Sequence, residues 1–182
     1  MSPSRVVALA VIAFLTAFGC APACSAGTER NNTDTQALRP VQAAVRRVVD
    51  GDTIELADGR LVRYIGIDAP EVRRKDGDRW VVDPEPLGME ATQANRQLVE
   101  GRVVRLEYDV QTRDRFGRLL AYVSVGDVMV NEELLRGGFA SPLTIPPNVK
   151  YAERFLTLAA EARQARRGLW AIVTPTAAFQ AP

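Results

Sequence analysis

Between Arg46 and Glu71 the chain reads RRVVDGDTIELADGRLVRYIGIDAPE, a stretch that leaves few folds open. Val48, Val49, Ile54 and Leu56 make one apolar run, Leu61, Val62, Ile65 and Ile67 make a second, and Asp58-Gly59 lies between them. Two such runs around an Asp-Gly pair predict a tight β-hairpin. Pairing Ala57 with Arg60 across the turn brings Asp52 within a few residues of Asp68, so Asp50, Asp52, Asp68 and Glu71 gather at the mouth away from the turn. Strict alternation sets Asp52 on the face of Ile65 and Ile67 and opposite Asp68, which requires a bulge or bend near Ile67. Pro70 gives the chain a reason to leave the sheet there, because proline cannot donate to a ladder and restricts the residue before it.

Four clustered carboxylates repel one another unless a cation or a guanidinium sits among them. Arg63 is the nearest counter-charge in the stretch. In the absence of a cation, replacing Asp52 or Asp68 by Asn is expected to relieve repulsion and raise stability by about 1 kcal/mol. The chain has no histidine. That excludes Ser-His-Asp hydrolysis, Cys-His proteolysis, paired-histidine ribonuclease chemistry and nearly all zinc catalysis. Oxygen-only ligands suit a hard cation, and the relaxed geometry of strand ends suits Ca²⁺ better than Mg²⁺. Taken singly, Asp50-Gly51-Asp52, Asp68, Arg63 and Arg118 are ordinary turn or surface residues. Together, a cation and two guanidinium groups form a counter-charge for a phosphate, and Glu71 is a carboxylate free to activate water. The set describes phosphodiester hydrolysis.

The N-terminus reads as an export signal over residues 1–26. Arg5 precedes 13 largely apolar residues from Val6 to Phe18, and the small-residue stretch Gly19 to Ala26 offers cuts after Ala23 or Ala26. The run is too short for a membrane span. Both cysteines, Cys20 and Cys24, fall in this segment, which leaves the domain without a thiol, and a lipid anchor at Cys20 is the alternative to free secretion. Losing Arg5 leaves 22 basic and 22 acidic residues, so any grip on a polyanion must come from a local patch.

Residues 27–42 are polar and read as a disordered leader, with one domain over 43–171 and a tail over 172–182. Val72 to Pro86, carrying Arg73, Arg74, Lys75 and Arg79 beside Trp80, reads as a long surface loop. Leu87, Ala91, Ala94 and Leu98 recur at helical spacing before Gly101. Strands follow over Val103 to Tyr108 and Leu119 to Val125, joined through a turn at Asp114 to Gly117. Val130 to Arg136 reads as a short helix ended by Gly137-Gly138. Asn148 is placed as the cap of a last helix with Tyr151, Phe155, Leu158, Ala159 and Ala162 on one face, after which Leu169-Trp170 fold back onto the core. Short antiparallel strands with helices grouped later indicate an α+β fold, and a small closed barrel buries such a sheet and removes its edges.

Val49-Asp50-Gly51-Asp52-Thr53, Arg63, Ile67-Asp68-Ala69-Pro70-Glu71, Asp114 to Tyr122, Val130-Asn131-Glu132 and the closing Ala165 to Trp170 resemble, in that order, the staphylococcal (micrococcal) nuclease family. The resemblance covers about Val45 to Trp170. It implies an OB-fold five-stranded β-barrel with three α-helices, and a Ca²⁺-dependent nuclease acting on DNA and RNA to leave 3′-phosphorylated products. It further implies that Asp52, Asp68 and the carbonyl of Ala69 are calcium ligands, with Asp50 behind them. Glu71 matches the general base, and Arg63 and Arg118 match the phosphate-binding arginines. The protein is then expected to be a secreted or cell-envelope monomer with no stable protein partner. A non-catalytic OB-fold binding module and an exported calcium-binding structural domain are the rival readings.

Substrate grip departs from the family pattern. Leu143 to Asn148 lacks the tyrosines that precede Pro-Asn in the best-known member, and Phe116 stands where the turn often carries tyrosine. Arg115, Phe116 and Trp80 are therefore the substrate-binding candidates, with Trp80 either stacking on a base or packing on the domain as an apolar anchor.

Overall fold

The structure, a computed structural model, describes residues 40–172. The export signal, most of the leader and the tail beyond Ile172 lie outside the described residues. Where the end of the leader is described, Val41 and Gln42 already belong to the first strand.

The hairpin forms β2 (Thr53–Leu56) and β3 (Leu61–Tyr64), preceded by β1 (Val41–Val48). Its register differs by one residue from the sequence expectation, with Thr53 opposite Arg63 and Glu55 opposite Leu61. Gly59 causes the shift. It takes a left-handed φ of 85° and closes a three-residue loop, its N–H donating to the Leu56 carbonyl at 2.9 Å, instead of serving in a two-residue turn. Asp52 then lies opposite Tyr64, whose N–H donates to the Asp52 carbonyl at 2.9 Å, and faces inward with Ile54 and Leu56.

The expected bend exists and lies at Gly66, with φ of 80°, where an added Cβ would meet the Phe155 ring at 2.6 Å. The chain leaves β3 there, and β4 (Ile67–Asp68) pairs with β10 (Ser141–Pro142). β7 (Val103–Glu107) pairs with β1, and β8 (Leu119–Val125) pairs with β7 and, in parallel, with β3. The circuit β1, β2, β3, β8, β7 closes back on β1 as a five-stranded barrel. An irregularity between Val45 and Arg47 lets β1 serve both neighbours at the corner. Short β9 (Val128–Met129) extends β8 at the outside.

Ile54, Leu56, Val62, Val104, Leu106, Ala121 and Val123 fill the barrel with no measurable exposure. The helices are α1 (Gly88–Val99), α2 (Val130–Arg136), α3 (Ala152–Gln164) and a single-turn α4 (Leu169–Ile172). Tyr122 on β8 meets Tyr151 edge-on at 4.7 Å and Phe155 at 5.9 Å, which seats α3 against the barrel. Glu132, 5% exposed, accepts an ion pair from Arg154 at 2.7 Å and joins α2 to α3. Leu169 donates its N–H to the Gly138 carbonyl at 2.8 Å, and Trp170 lies half-buried under Arg163 at 4.2 Å. That placement is beside the core cluster and not within it.

Two further expectations fail. Residues 72–86 are not a loop throughout but contain a second hairpin, β5 (Arg73–Asp76) and β6 (Arg79–Val82). Nearly every residue in it faces solvent, so it has no apolar alternation to announce it. Gly77, with φ of 59°, makes the turn. Asn148 does not cap α3, whose first flanking residue is Tyr151 without a side-chain cap. Its buried amide instead accepts the Gln111 N–H at 2.7 Å and donates to the Gln111 carbonyl at 2.8 Å. Local sequence offered a cap, and a partner 37 residues away took the side chain.

Candidate active site

The mouth of the barrel is organised by Asp52, which is 1% exposed. Asp52 Oδ2 accepts the Ala69 N–H at 2.8 Å, and Oδ1 accepts the Thr53 hydroxyl at 3.1 Å and meets the Arg63 guanidinium. The same guanidinium reaches Asp68 Oδ1 at 2.5 Å. One arginine therefore bridges the carboxylate just before β2 and the one on β4, and compensates a charge that could not otherwise be buried. This reverses the expectation that Asn at position 52 stabilises the metal-free fold, because Asp52 is paired and hydrogen-bonded, not repelled. Asp68 has 53% of its side chain exposed, so solvent already screens it.

Backbone packing fixes the neighbours. Gly51 lies where an added Cβ would come within 2.5 Å of the Ala69 Cβ, and Gly88 where one would meet the Glu71 carbonyl at 2.7 Å. Both sites exclude any larger residue. Asp50 Oδ1 accepts the Asp52 N–H at 3.1 Å. Burial pushes the Asp50 carboxyl above the ordinary range, against lowering contributions from Thr53, Arg63 and Arg118. Glu71 donates its N–H to the Glu85 carboxylate at 3.1 Å and accepts the Glu85 N–H at its carbonyl at 2.8 Å. Although Glu71 keeps contact with solvent, loss of hydration raises its carboxyl first and the Asp50 charge second, with Arg63 opposing. Among the described residues its carboxylate makes no ion pair.

Arg118 lies just before β8, whose parallel pairing with β3 sets Leu120 beside Arg63. Asp114 Oδ2 accepts Arg118 Nε at 2.7 Å, and the Asp114 Oδ1 takes the N–H groups of Phe116 and Arg118 at 2.9 Å each. The turn is thus built around one carboxylate. The Phe116 ring is 69% exposed, with the guanidinium carbons of Arg115 and Arg118 at 4.7 and 5.6 Å from its centre. Arg63, Glu71, Arg115, Phe116, Arg118 and Ile145 border one cleft of about 540 Å³. Trp80 borders a second, of about 440 Å³, together with Asp50, Glu71, Arg73 and Arg118. Trp80 is 69% exposed, which removes the reading of an apolar anchor.

Asp50, Asp52, Arg63, Asp68, Ala69, Glu71 and Arg118 therefore gather about the barrel mouth, and Thr53 and Asn95, which had no role assigned from the sequence, support them. Thr53 holds Asp52, and buried Asn95 on α1 accepts the Tyr64 hydroxyl at 2.9 Å while donating to the Asp50 carbonyl at 2.9 Å. Asn95 stands between Ala91 and Val99 at four-residue spacing on a buried stripe, and a polar residue on such a stripe is the signal that marks it. For a cation the donor set is oxygen only. Asp52 and Asp68 already converge on one positive group, which fits a hard ion. Among the described residues no three acidic side chains come close enough together to hold an ion, so further ligands would have to be main-chain carbonyls or water.

Comparisons with known proteins show what the chain is similar to. Residues 61–172 match the family model described as staphylococcal nuclease homologue. The thermonuclease of Staphylococcus hyicus is 37% identical over 162 residues, covering 87% of this chain and 88% of that protein. The thermonuclease of Staphylococcus intermedius is 35% identical over 78% of this chain and 82% of its own length. Endonuclease YncB of Bacillus subtilis is 34% identical, covering 78% of this chain and 71% of that one.

Proposed function

The chain belongs to the staphylococcal nuclease family, and from that premise we propose that it is a secreted, calcium-dependent nuclease hydrolysing phosphodiester bonds of DNA and RNA. The observation that carries this reading is the meeting of Arg63, Glu71 and Arg118 on one cleft, with a pair of carboxylates directly behind Arg63. Nuclease activity is what the names of the similar proteins state of them. Export rests on the signal-like residues 1–26.

Asp52, Asp68 and the main-chain carbonyl of Ala69 would hold the ion, which when bound would neutralise a nonbridging phosphate oxygen and favour ionisation of a nearby water. Glu71 takes the proton of the attacking water; its lack of an ion-pair partner among the described residues and its raised affinity for protons both suit a base. Arg118, aimed by Asp114, and Arg63 hold the phosphate oxygens as charge accumulates. Arg63 is available for this once the two carboxylates have another counter-charge. Asp50 positions the chain at Asp52 through its bond to the Asp52 N–H. The 5′ oxygen leaves and a 3′-phosphate remains. Neither arginine supplies the leaving proton at neutral pH, so solvent does. Arg115 and Phe116 contact the nucleotide beside the scissile phosphate.

Digestion of single-stranded DNA with calcium and with chelator tests the reading. Products ending in 3′-phosphate, formed only with calcium, are expected. Binding without cleavage would make the domain a nucleic-acid-binding module, and calcium binding with neither would make it a structural one.

A further inference from the structure

Glu71 and Arg118 border two clefts, not one, and the second belongs to the β5–β6 hairpin. We propose that this second cleft, under Trp80, is a nucleoside subsite on the side of the scissile phosphate opposite Phe116. The inference rests on the nuclease reading above and extends it. A phosphate held at Arg118 beside Glu71 borders both clefts, each with an exposed aromatic ring and an arginine: Phe116 with Arg115 in one, Trp80 with Arg73 in the other. A strand crossing that point places one base in each cleft. The substrate is then an unpaired strand engaged on both sides of the cut, and cleavage is internal. Stacking is tolerant of base identity, because every base offers a π-face.

The hairpin is framed for this task. Its base is held next to Glu71 by the Glu85 N–H bond to the Glu71 carbonyl at 2.8 Å and the Asp83 N–H bond to the Val72 carbonyl at 3.1 Å. Arg74 pairs with Asp83 across that base. Trp80 lies directly opposite Lys75 in the ladder, so a cation accompanies the ring. Val82, also 69% exposed, lies on the same strand two residues on and on the same face. A ring with 69% of its surface in water contributes little to the fold.

Oligonucleotides with one cleavable linkage, carrying an abasic sugar on one side of it, on the other, or on neither, provide the test against wild type, Trp80→Ala and Trp80→Phe. With both bases present, Trp80→Ala is expected to raise KM about tenfold, the effect of losing one stacked base. Trp80→Phe recovers most of that loss, and the melting temperature does not move. An abasic sugar on the Trp80 side makes the wild type resemble the variant, whereas one on the Phe116 side leaves their difference intact. An equal penalty on all three substrates, or a lowered melting temperature that accounts for the loss, overturns the subsite. If wild type cuts none of them, the nuclease reading fails separately. Emission from Trp80 in Trp170→Phe protein then decides the subsite: a change on titration with the uncut oligonucleotide supports it, and constant emission rejects it.

Discussion

Asp52 is paired with Arg63 and Trp80 shares a cleft with Glu71, yet the fold treats the two residues in opposite ways. Asp52 is 1% exposed and held by the Ala69 N–H, the Thr53 hydroxyl and the Arg63 guanidinium. Trp80 is 69% exposed, on a hairpin whose residues mostly face water. The barrel mouth therefore fixes the groups that must not move, where burial strengthens each charge. On the proposed reading, the rim carries groups whose contacts form only when a strand arrives. Changes in the mouth should alter chemistry and stability together, and changes at the rim should alter affinity alone.

The widest separation is expected in kinetics. Glu71→Gln should lower kcat by about 10²–10⁴-fold, the usual worth of a general base, with KM little changed. Phe116→Ala should raise KM about tenfold through loss of a stacking surface. Steady-state digestion of single-stranded DNA measures both. A Phe116 variant that lost kcat as severely as Glu71→Gln would erase the division between mouth and rim.

Stability should divide within the mouth itself. Asp52→Asn leaves Arg63 without its buried partner and should cost about 3 kcal/mol. Asp68→Asn, with 53% of the side chain in solvent, should cost under about 1 kcal/mol. Urea unfolding of the chelated proteins separates the two, and equal losses would mean that Asp52 is not the residue around which the site is built.

Much of the mouth was legible in the sequence because its elements announce themselves locally. Apolar runs about Asp58-Gly59 gave the hairpin, helical spacing gave α1, and the Gly137-Gly138 stop bounded α2, both close to their observed limits. What escaped depends on partners distant in the chain. Asn95 joins Tyr64 and Asp50 from 31 and 45 residues away, and Asn148 was drawn off a local cap by Gln111. The β5–β6 hairpin was unreadable for another reason: its side chains face solvent on both sides, so no periodicity records it. The one-residue register shift came from Gly59, since Asp-Gly is compatible with both a two-residue and a three-residue loop.

Calcium should stabilise the wild type by about 2.7 kcal/mol at a hundredfold excess over its dissociation constant. Asp52→Asn should gain far less, and the rim variant Phe116→Ala should gain as much as wild type. Melting temperatures with and without chelator report this directly. An equal calcium response in Asp52→Asn would place the ion away from the mouth.

The smallest expected effect is a pH-dependent one at the boundary between the two regions. Partial loss of hydration and the Asp50 charge raise the Glu71 carboxyl above its ordinary value in the folded protein. A raised folded pKa means that the native state binds the proton more tightly than the unfolded chain does. The stability Glu71 contributes is therefore full below the unfolded pKa, about 4.3, and is lost as pH rises through the folded value. In chelated protein at pH 7, Glu71→Gln should thus melt slightly above wild type, because glutamine carries no charge to desolvate. The advantage should shrink as pH falls and vanish below the ordinary glutamate range, where both states of the wild type are protonated. Phe116→Ala, which touches no titrating carboxylate of the mouth, should track wild type in parallel across the same range. If Glu71→Gln melts at or below wild type at pH 7, or differs from it equally at every pH, the Glu71 carboxyl is hydrated as freely as the rim, and the boundary lies inside it.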